Sequence, residues 1–523
     1  MYKVVQKLKI IIFLSGLGMI WFTMGNILQK PKNMEWNMKG MEKAIANPQY
    51  YDVLFSGTSM TILNISAEEL YLQYGIASVT LGEPEQTTYL SYYTVEEALK
   101  YQTPKAVIFD VKALFYTEDR LKEMIDVNED YYVHYTLDGL KNSKTKYDAV
   151  TQVKEISTTT YLPYFSKMVH NHSNWEEIGK SNFKLEQSND FILESRSILD
   201  MWENVYDNTY ISLQNRTSEK VEIPKVNKVY VEKMAEICKK KGIDFILIRG
   251  TGSKGWSWGE YNAVEELAKE LDIDYIDLAL YEEQIGFNWR TDSADGRHLN
   301  VNGAKKWTDF LGKYLIQKHD FIDHRGDINY KEFQEAQKKY EYYKKAMDQK
   351  ISLMNAVNFV QYMDTLFNME KDEIGIFLTV SEGANNFLTK ENQKVLNLIG
   401  FNIDLENKSE FGYLGILEDG RIVEENCSED GVSVSGKLRD GTLYKVSRGE
   451  SILDKTASIM LNGEEVCQNG NGFNFVVYSK ETGEVLSSVF FDTSVEENPT
   501  TARKTTAEKI EIEKDINCWD SDK

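Results

Sequence analysis

The chain is poor in cysteine, proline and histidine: four, seven and six residues respectively among 523. Cys238, Cys427, Cys467 and Cys518 are too few and too scattered for a disulfide scaffold, and no two have the close spacing of a zinc site. Cys427 and Cys467 share a C-terminal stretch and can pair if that stretch is exported. Basic residues are outnumbered as well, 60 Lys and Arg against 82 Asp and Glu, for a formal net charge of -22. That balance excludes nucleic acid as a partner, because phosphate neutralisation needs a basic surface. It also repels an anionic membrane surface or polymer, except where lysines cluster. Apolar residues are plentiful, at 42% with 12% aromatic, so the chain folds, and its length predicts two or three domains.

Long uncharged runs are also lacking, with one exception. Lys3, Lys7 and Lys9 precede Ile10 to Leu28, about 19 residues without charge and close to the thickness of a bilayer core. Trp21 and Phe22 sit towards its outer half, and Lys30 and Lys32 follow. A cleaved signal peptide is the plain alternative, but its apolar core would be long and no small-x-small cleavage site stands out. Residues 1–32 therefore read as an uncleaved anchor. The basic leader stays inside, which makes a single-pass membrane protein with extracytoplasmic domains. Residues 33–50 read as a polar spacer with some helix.

Apolar runs and helical stretches then alternate. Val53-Leu54-Phe55 is a buried strand ending in the turn Ser56-Gly57-Thr58-Ser59. Ser66-Ala67-Glu68-Glu69 is a capping box opening a helix that stops at Gly75. Ile76 to Leu81 is a second strand ending in Gly82. Thr94-Val95-Glu96-Glu97 predicts another capped start, of a helix through Lys100, and Ala106 to Phe109 a third strand closed by Asp110. An insert rich in tyrosine and charge follows, about 112–225, with helical pieces at Thr117 to Ile125 and Asn189 to Asn204. The alternation resumes with a helix over Lys225 to Lys241, which makes Cys238 a core thiol. The strand Asp244 to Ile248, a helix through Leu271 and a strand around Tyr275-Ile276-Asp277 complete it. Such spacing specifies a parallel α/β sheet.

Several aromatics either line a sugar groove or pack, and packing is the commoner outcome. They are Tyr131, Tyr132, His134 and Tyr135, then His170, His172 and Trp175, then Trp256 and Trp258.

A serine just past a glycine turn stands at the C-terminal edge of the sheet, where α/β folds bind ligands. Asp295-Gly296-Arg297-His298 follows the last strand, with a carboxylate three residues before an imidazole. Ser59 as nucleophile, His298 as base and Asp295 as orienter make the set that acyl transfer needs. Asp292 is the second choice of orienter, and Asn300 and Gly303 read as structural. No metal or cofactor is expected.

Gly57-Thr58-Ser59, the strand ending in Gly82 and the late Asp295-x-x-His298 together resemble the SGNH (GDSL-type) hydrolase superfamily, over roughly residues 50–320. Within it the chain looks most like membrane-anchored bacterial members related to the alginate O-acetylation and teichoic-acid D-alanyl-transfer proteins. The resemblance implies a flavodoxin-like three-layer sandwich over 51–322 and an acyl-enzyme on Ser59. It also implies an oxyanion hole made by the backbone N–H groups of Ser59 and Gly82. The family's Gly-x-Asn block has no obvious counterpart: Asp110-Val111-Lys112 stands after the third strand, and Gln86 is the candidate substitute donor. By this resemblance the protein is a serine esterase or O-acyltransferase, O-acetyl transfer being the expected form. Its target would be a cell-surface polysaccharide or other glycan, with a multi-spanning membrane O-acyltransferase as partner. The alternative is a surface glycan-binding or scaffold protein with a vestigial SGNH domain.

Residues 323–371 read as a charged helical linker bearing Tyr340, Tyr342 and Tyr343. From 372 to 494 the pattern is β-rich α+β, with a strand at Ile374 to Leu378 and a helix from Thr389 to Ile399. Hairpin turns are signalled at Asp419-Gly420, Asp440-Gly441 and Asn462-Gly463. Gly472-Phe473-Asn474 with Phe491-Asp492-Thr493 resembles the interleukin-like EMT inducer (ILEI) domain, although Asn471 replaces its usual arginine. Some relatives of that domain are associated with glycans, and a spacer or docking module is an equal reading. Residues 495–523 read as a disordered tail.

Overall fold

The computed structural model describes residues 2–29, 39–126, 131–183, 191–192, 195–196, 198–201, 216–250, 256–380, 389–406, 408, 411–449, 456–470, 472–493 and 499–502. The chain divides into two compact units, Met1–Tyr340 and Glu341–Lys523.

In the first unit β1 (Val53–Ser56), β2 (Ser78–Thr80), β3 (Ala106–Asp110), β4 (Asp244–Arg249) and β5 (Asp274–Asp277) form one parallel sheet, in the order β2-β1-β3-β4-β5. The strands are nearly unbroken apolar runs because both faces are covered. Val53, Phe55, Ala106, Ile108, Ile246, Ile248 and Ile276 point into a core shared with Trp307, Leu311 and Leu315. The intervening Leu54, Val107, Phe109, Phe245 and Leu247 are buried on the other face. The helices that matter here are α1 (Tyr2–Ile27), α2 (Ser59–Leu63), α3 (Ala67–Tyr74), α4 (Thr88–Ala98), α5 (Lys225–Lys241), α6 (Trp258–Leu271) and α7 (Val301–Lys318). Helix α3 packs with α7, and α4 with α5. The strand order reverses direction at β1, so the loops after β1 and β3 diverge and open a crevice at the C-terminal edge.

Local chemistry explains most boundaries. Ser66 caps α3 by accepting the Glu69 N–H, and Gly75 ends it at φ 69°. Helix α4 begins earlier than Thr94 predicts. Thr87 is its cap, accepting the Leu90 N–H, while the Thr94 hydroxyl donates back to the Ser91 carbonyl at 2.9 Å inside the helix. In the insert, Phe191–Ile192 pairs antiparallel with Ser195–Arg196 where a helix was expected; the rest of 189–204 lies largely outside the described residues. Within 33–50 the described helix is Gly40–Ala46. Helix α1 is the apolar N-terminal one, and its stretch Val4–Ile27 is long and apolar enough to cross a membrane.

The first unit does not stop at residue 322. Tyr330 stacks on Tyr50 with centroids 4.4 Å apart, and Phe333 on Tyr71 at 4.9 Å, so the start of the expected linker is core. The helix Lys331–Asn355 carries the boundary between the units.

The second unit holds two antiparallel sheets. Strands β6 (Ile374–Val380), β7 (Gly412–Glu418), β8 (Arg421–Ser428), β13 (Phe473–Ser479) and β14 (Glu484–Phe491) form the first, in the order β8-β7-β6-β13-β14. Strands β9 (Val432–Lys437), β10 (Leu443–Arg448), β11 (Ala457–Leu461) and β12 (Glu464–Glu465) form the second, in that order. Asp419 and Gly420, and Asn462 and Gly463, have positive φ throughout, as a tight two-residue hairpin turn requires. The helix Phe359–Asn368 belongs to this unit, because Phe359 packs on Phe473 and Phe491 and Tyr362 on Phe475; the unit thus begins before residue 372. It also extends past 494. The Phe359 N–H donates to the Pro499 carbonyl at 3.0 Å and the Ala502 N–H to that of Phe490 at 3.1 Å, so residues 499–502, expected in a tail, pack with this unit; 503–523 lie outside the described residues. Cys238 is a buried free thiol, and Cys427 and Cys467 are not joined to each other; Cys518 lies outside the described residues.

Candidate active site

Along Val53 to Met60 every residue but Ser59 is buried. Gly57 makes the turn possible, since its φ is 145° and a Cβ there would sit 2.8 Å from that of Asp110. Thr58 caps α2 by accepting the Met60 N–H, and its hydroxyl also reaches Asp110 Oδ1 at 3.4 Å. Ser59 is the first residue of that helix, beside the crevice.

The candidate base, His298, arrives from the loop after β5. His298 Nε2 lies 2.9 Å from Ser59 Oγ, and His298 Nδ1 lies 2.8 Å from Asp295 Oδ2. With the ring proton on Nδ1, His298 donates to Asp295 and accepts the Ser59 hydroxyl proton, the assignment that satisfies all three groups. Asp295 Oδ1 accepts the N–H groups of Arg297 at 2.8 Å and His298 at 2.7 Å. Burial alone would push this carboxyl up. The neighbouring His298, its ring hydrogen bond and the two backbone donors outweigh that and hold it well below the usual carboxylate range. Asp295 therefore stays ionised at neutral pH.

The loop is closed on itself. Ser293 Oγ accepts the Gly296 N–H at 2.9 Å and donates to the His298 carbonyl at 3.1 Å, while Gly296 turns at φ 85°. Asn64, at the C-terminal end of α2, accepts the Leu299 N–H at 2.9 Å and ties the loop to the helix that carries Ser59. Asp292 faces elsewhere: it accepts from Asn288 N, Asn302 Nδ2 and Lys306 Nζ. Asn300 caps α7, and a Cβ on Gly303 would collide with the Asp292 carbonyl at 2.1 Å.

The expected oxyanion donors are arranged less simply. The Gly82 N–H donates to Thr80 Oγ1 at 3.1 Å. Gln86 is buried and spent within the fold, donating to Ser91 Oγ at 2.9 Å and accepting from Thr136. It is not the substitute donor. Lys112 holds more interest. Burial pulls its ammonium down to about 8, Arg249 and Arg297 pull the same way, and Glu85 and Asp110 oppose them. Arg297 directly precedes His298 and Asp110 touches Thr58, so Lys112 belongs to the same end of the sheet. Asp110 is buried and its carboxyl is pushed up to about 6 by burial, against the pull of the Lys112 N–H and Arg249.

Of the aromatic candidates, His134, Trp256 and Trp258 pack, whereas His172 and Trp175 are exposed. His134 is buried and stacks on His170 and Tyr164; the Trp256 Nε1–H donates to Asp277 Oδ2 at 3.1 Å under Arg249; Trp258 is buried in α6. Among the described residues no three His, Cys, Asp or Glu side chains are grouped to hold a metal ion.

No protein-family model matches the chain, and no curated protein matches it.

Proposed function

We propose that the chain is an extracytoplasmic serine acyl hydrolase or O-acyltransferase of SGNH type that acts on a cell-surface glycan. The hydrogen-bonded run Ser59–His298–Asp295 is the observation that carries this reading. In the first half-reaction His298 Nε2 takes the Ser59 proton as Oγ attacks the ester carbonyl. The tetrahedral oxyanion then collapses, and His298 returns the proton to the leaving alcohol. In the second half, water or a sugar hydroxyl loses its proton to His298 and attacks the acyl carbon, and Ser59 leaves with that proton. Ionised Asp295 stabilises the imidazolium in both halves. The Ser59 N–H is the remaining expected backbone donor, and the Lys112 ammonium supplies positive potential in place of the Asn of the family's third block. A membrane O-acyltransferase would deliver the acyl group, and the second unit, if ILEI-like, would hold the glycan.

One observation favours a binding or scaffold protein with a vestigial site: the Gly82 N–H is occupied by Thr80. A single assay separates the two. The detergent-solubilised full chain, and its Ser59→Ala and His298→Ala variants, are treated with a fluorophosphonate and weighed intact. One adduct on wild type and none on either variant is the expected result. If wild type is unlabelled and turns over simple esters no faster than Ser59→Ala, the enzyme reading fails and the scaffold leads.

A further inference from the structure

The insert grips the end of the apolar helix. The Trp21 Nε1–H donates to Ser166 Oγ at 3.0 Å, Asn174 Nδ2 to the Leu28 carbonyl at 3.2 Å, and Asn182 Nδ2 to the carbonyls of Ile27 and Gln29 at 2.9 and 3.0 Å. Gly25 allows the approach, for a Cβ there would stand 2.7 Å from Met168 N. Gly25 and Leu28 are buried, whereas Phe13 to Phe22 is mostly bare. These contacts join residues about 145–155 positions apart, which a loose tether would not make.

The gripping segment carries large apolar side chains that stand exposed among the described residues. Leu162, Trp175 and Phe183 are 67%, 64% and 64% exposed, and Ile178 is exposed beside them in sequence. From Trp21 to Leu28 an α-helix rises about 10 Å, roughly the depth to which interfacial helices sink into a leaflet. Tryptophan and other amphipathic rings favour that level. Glu176 and Glu177 balance Lys167 and Lys180 in the same stretch, so attraction to anionic lipid is not the driving force.

We infer that residues 161–183 form a collar around the end of α1 that inserts its apolar side chains into the outer lipid leaflet and seats the first unit on the membrane. The inference rests on α1 being a membrane span and not on the catalytic reading. It places the unit against the bilayer surface instead of at the end of a leash.

The test uses the full chain in phosphatidylcholine nanodiscs, with its native cysteines replaced and a nitrobenzoxadiazole dye on Trp175→Cys, Phe183→Cys or the control Lys240→Cys. Shallow nitroxide-labelled lipid should quench the dye at 175 and 183 about twofold, and at 240 hardly at all. Equal quenching at all three positions overturns the collar. Trp175→Phe keeps the apolar bulk in an otherwise native chain and should lower the share of tryptophan emission quenched by brominated lipid; an unchanged share also overturns it. So does an intact mass showing that α1 has been removed. Fluorophosphonate labelling of Ser59 in the same samples reports the catalytic reading separately.

Discussion

Asp295 and His298 stand at the C-terminal edge of the parallel sheet, and Asp52 and His324 at the opposite edge. His324 Nε2 lies 3.0 Å from Asp52 Oδ2, nearly the spacing of the triad pair. The surroundings differ. His324 is buried, stacked 4.0 Å from the Tyr330 ring, and its backbone is tied to Gly75 and Tyr71. Burial pushes the Asp52 carboxyl up, and the Ala77 N–H and His324 do not offset it. Around Asp295 the same balance goes the other way. A His–Asp contact alone thus does not make a base. What distinguishes His298 is a serine at its second nitrogen and access to the crevice; what distinguishes His324 is a closed aromatic bed that pins 323–330 to the sheet.

Substitutions can break this comparison or sharpen it. Ser59→Ala or His298→Ala should lower ester kcat/KM by on the order of 10^4–10^6-fold, while His324→Ala leaves turnover per folded molecule near wild type. Steady-state kinetics on active-site-titrated protein checks both. Asp295→Asn should cost about 10^4-fold in kcat, because the amide cannot fix the productive tautomer or support the imidazolium. Asp52→Asn should leave kcat in place. Lys112→Met should lower kcat about 10–100-fold with little change in KM, as loss of transition-state charge stabilisation does. At the other edge, His324→Ala should cost about 2–4 kcal/mol in urea unfolding, since a buried partner is left without its counterpart.

The smallest effect is one of sign. Asp295 has a depressed carboxyl, so it contributes stability above the ordinary value of 3.8 that is lost as the pH falls below it. Asp52 has a raised carboxyl, so its contribution is most favourable below 3.8 and weakens as the pH rises through its folded value. In melts between pH 3 and 7, Asp295→Asn should flatten the acid loss of Tm and Asp52→Asn should steepen it. Equal slopes would show that the two edges do not differ as described.

The sequence made the sheet legible because each strand is a short apolar run ended by glycine or aspartate, and those runs lie where β1 to β5 lie. Ser59, Asp295 and His298 were legible as residue types in a spacing. What could not be read was anything decided across space. Asn64 looks like an ordinary helix end until Leu299 arrives at its side chain. Thr94 offers as good a cap as Thr87 on paper, and only packing chooses between them. The Gly82 N–H meets the Thr80 hydroxyl two residues earlier, a local contact that no motif marks. Tyr330 and Phe333 lie in a charged stretch resembling a linker, and their partners Tyr50 and Tyr71 are more than 250 residues away. The Gly472-x-Asn474 element has a local reason: Gly472 lies at φ 93° against the Phe491 carbonyl, and Asn474 clasps both backbone groups of Gly470.

The amide of Asn64 also bears on how the protein is made. It and Leu299 are separated by 235 positions, yet one hydrogen bond between them closes the helix of Ser59 onto the loop of His298. A ribosome finishes the serine turn early and the histidine loop only after most of the unit has emerged. Throughout that interval the growing chain carries Ser59 without His298 to accept its proton. On the proposed reading, catalytic power would switch on as a late event of chain completion, and a fragment ending before residue 298 would be silent however well its first strands had folded.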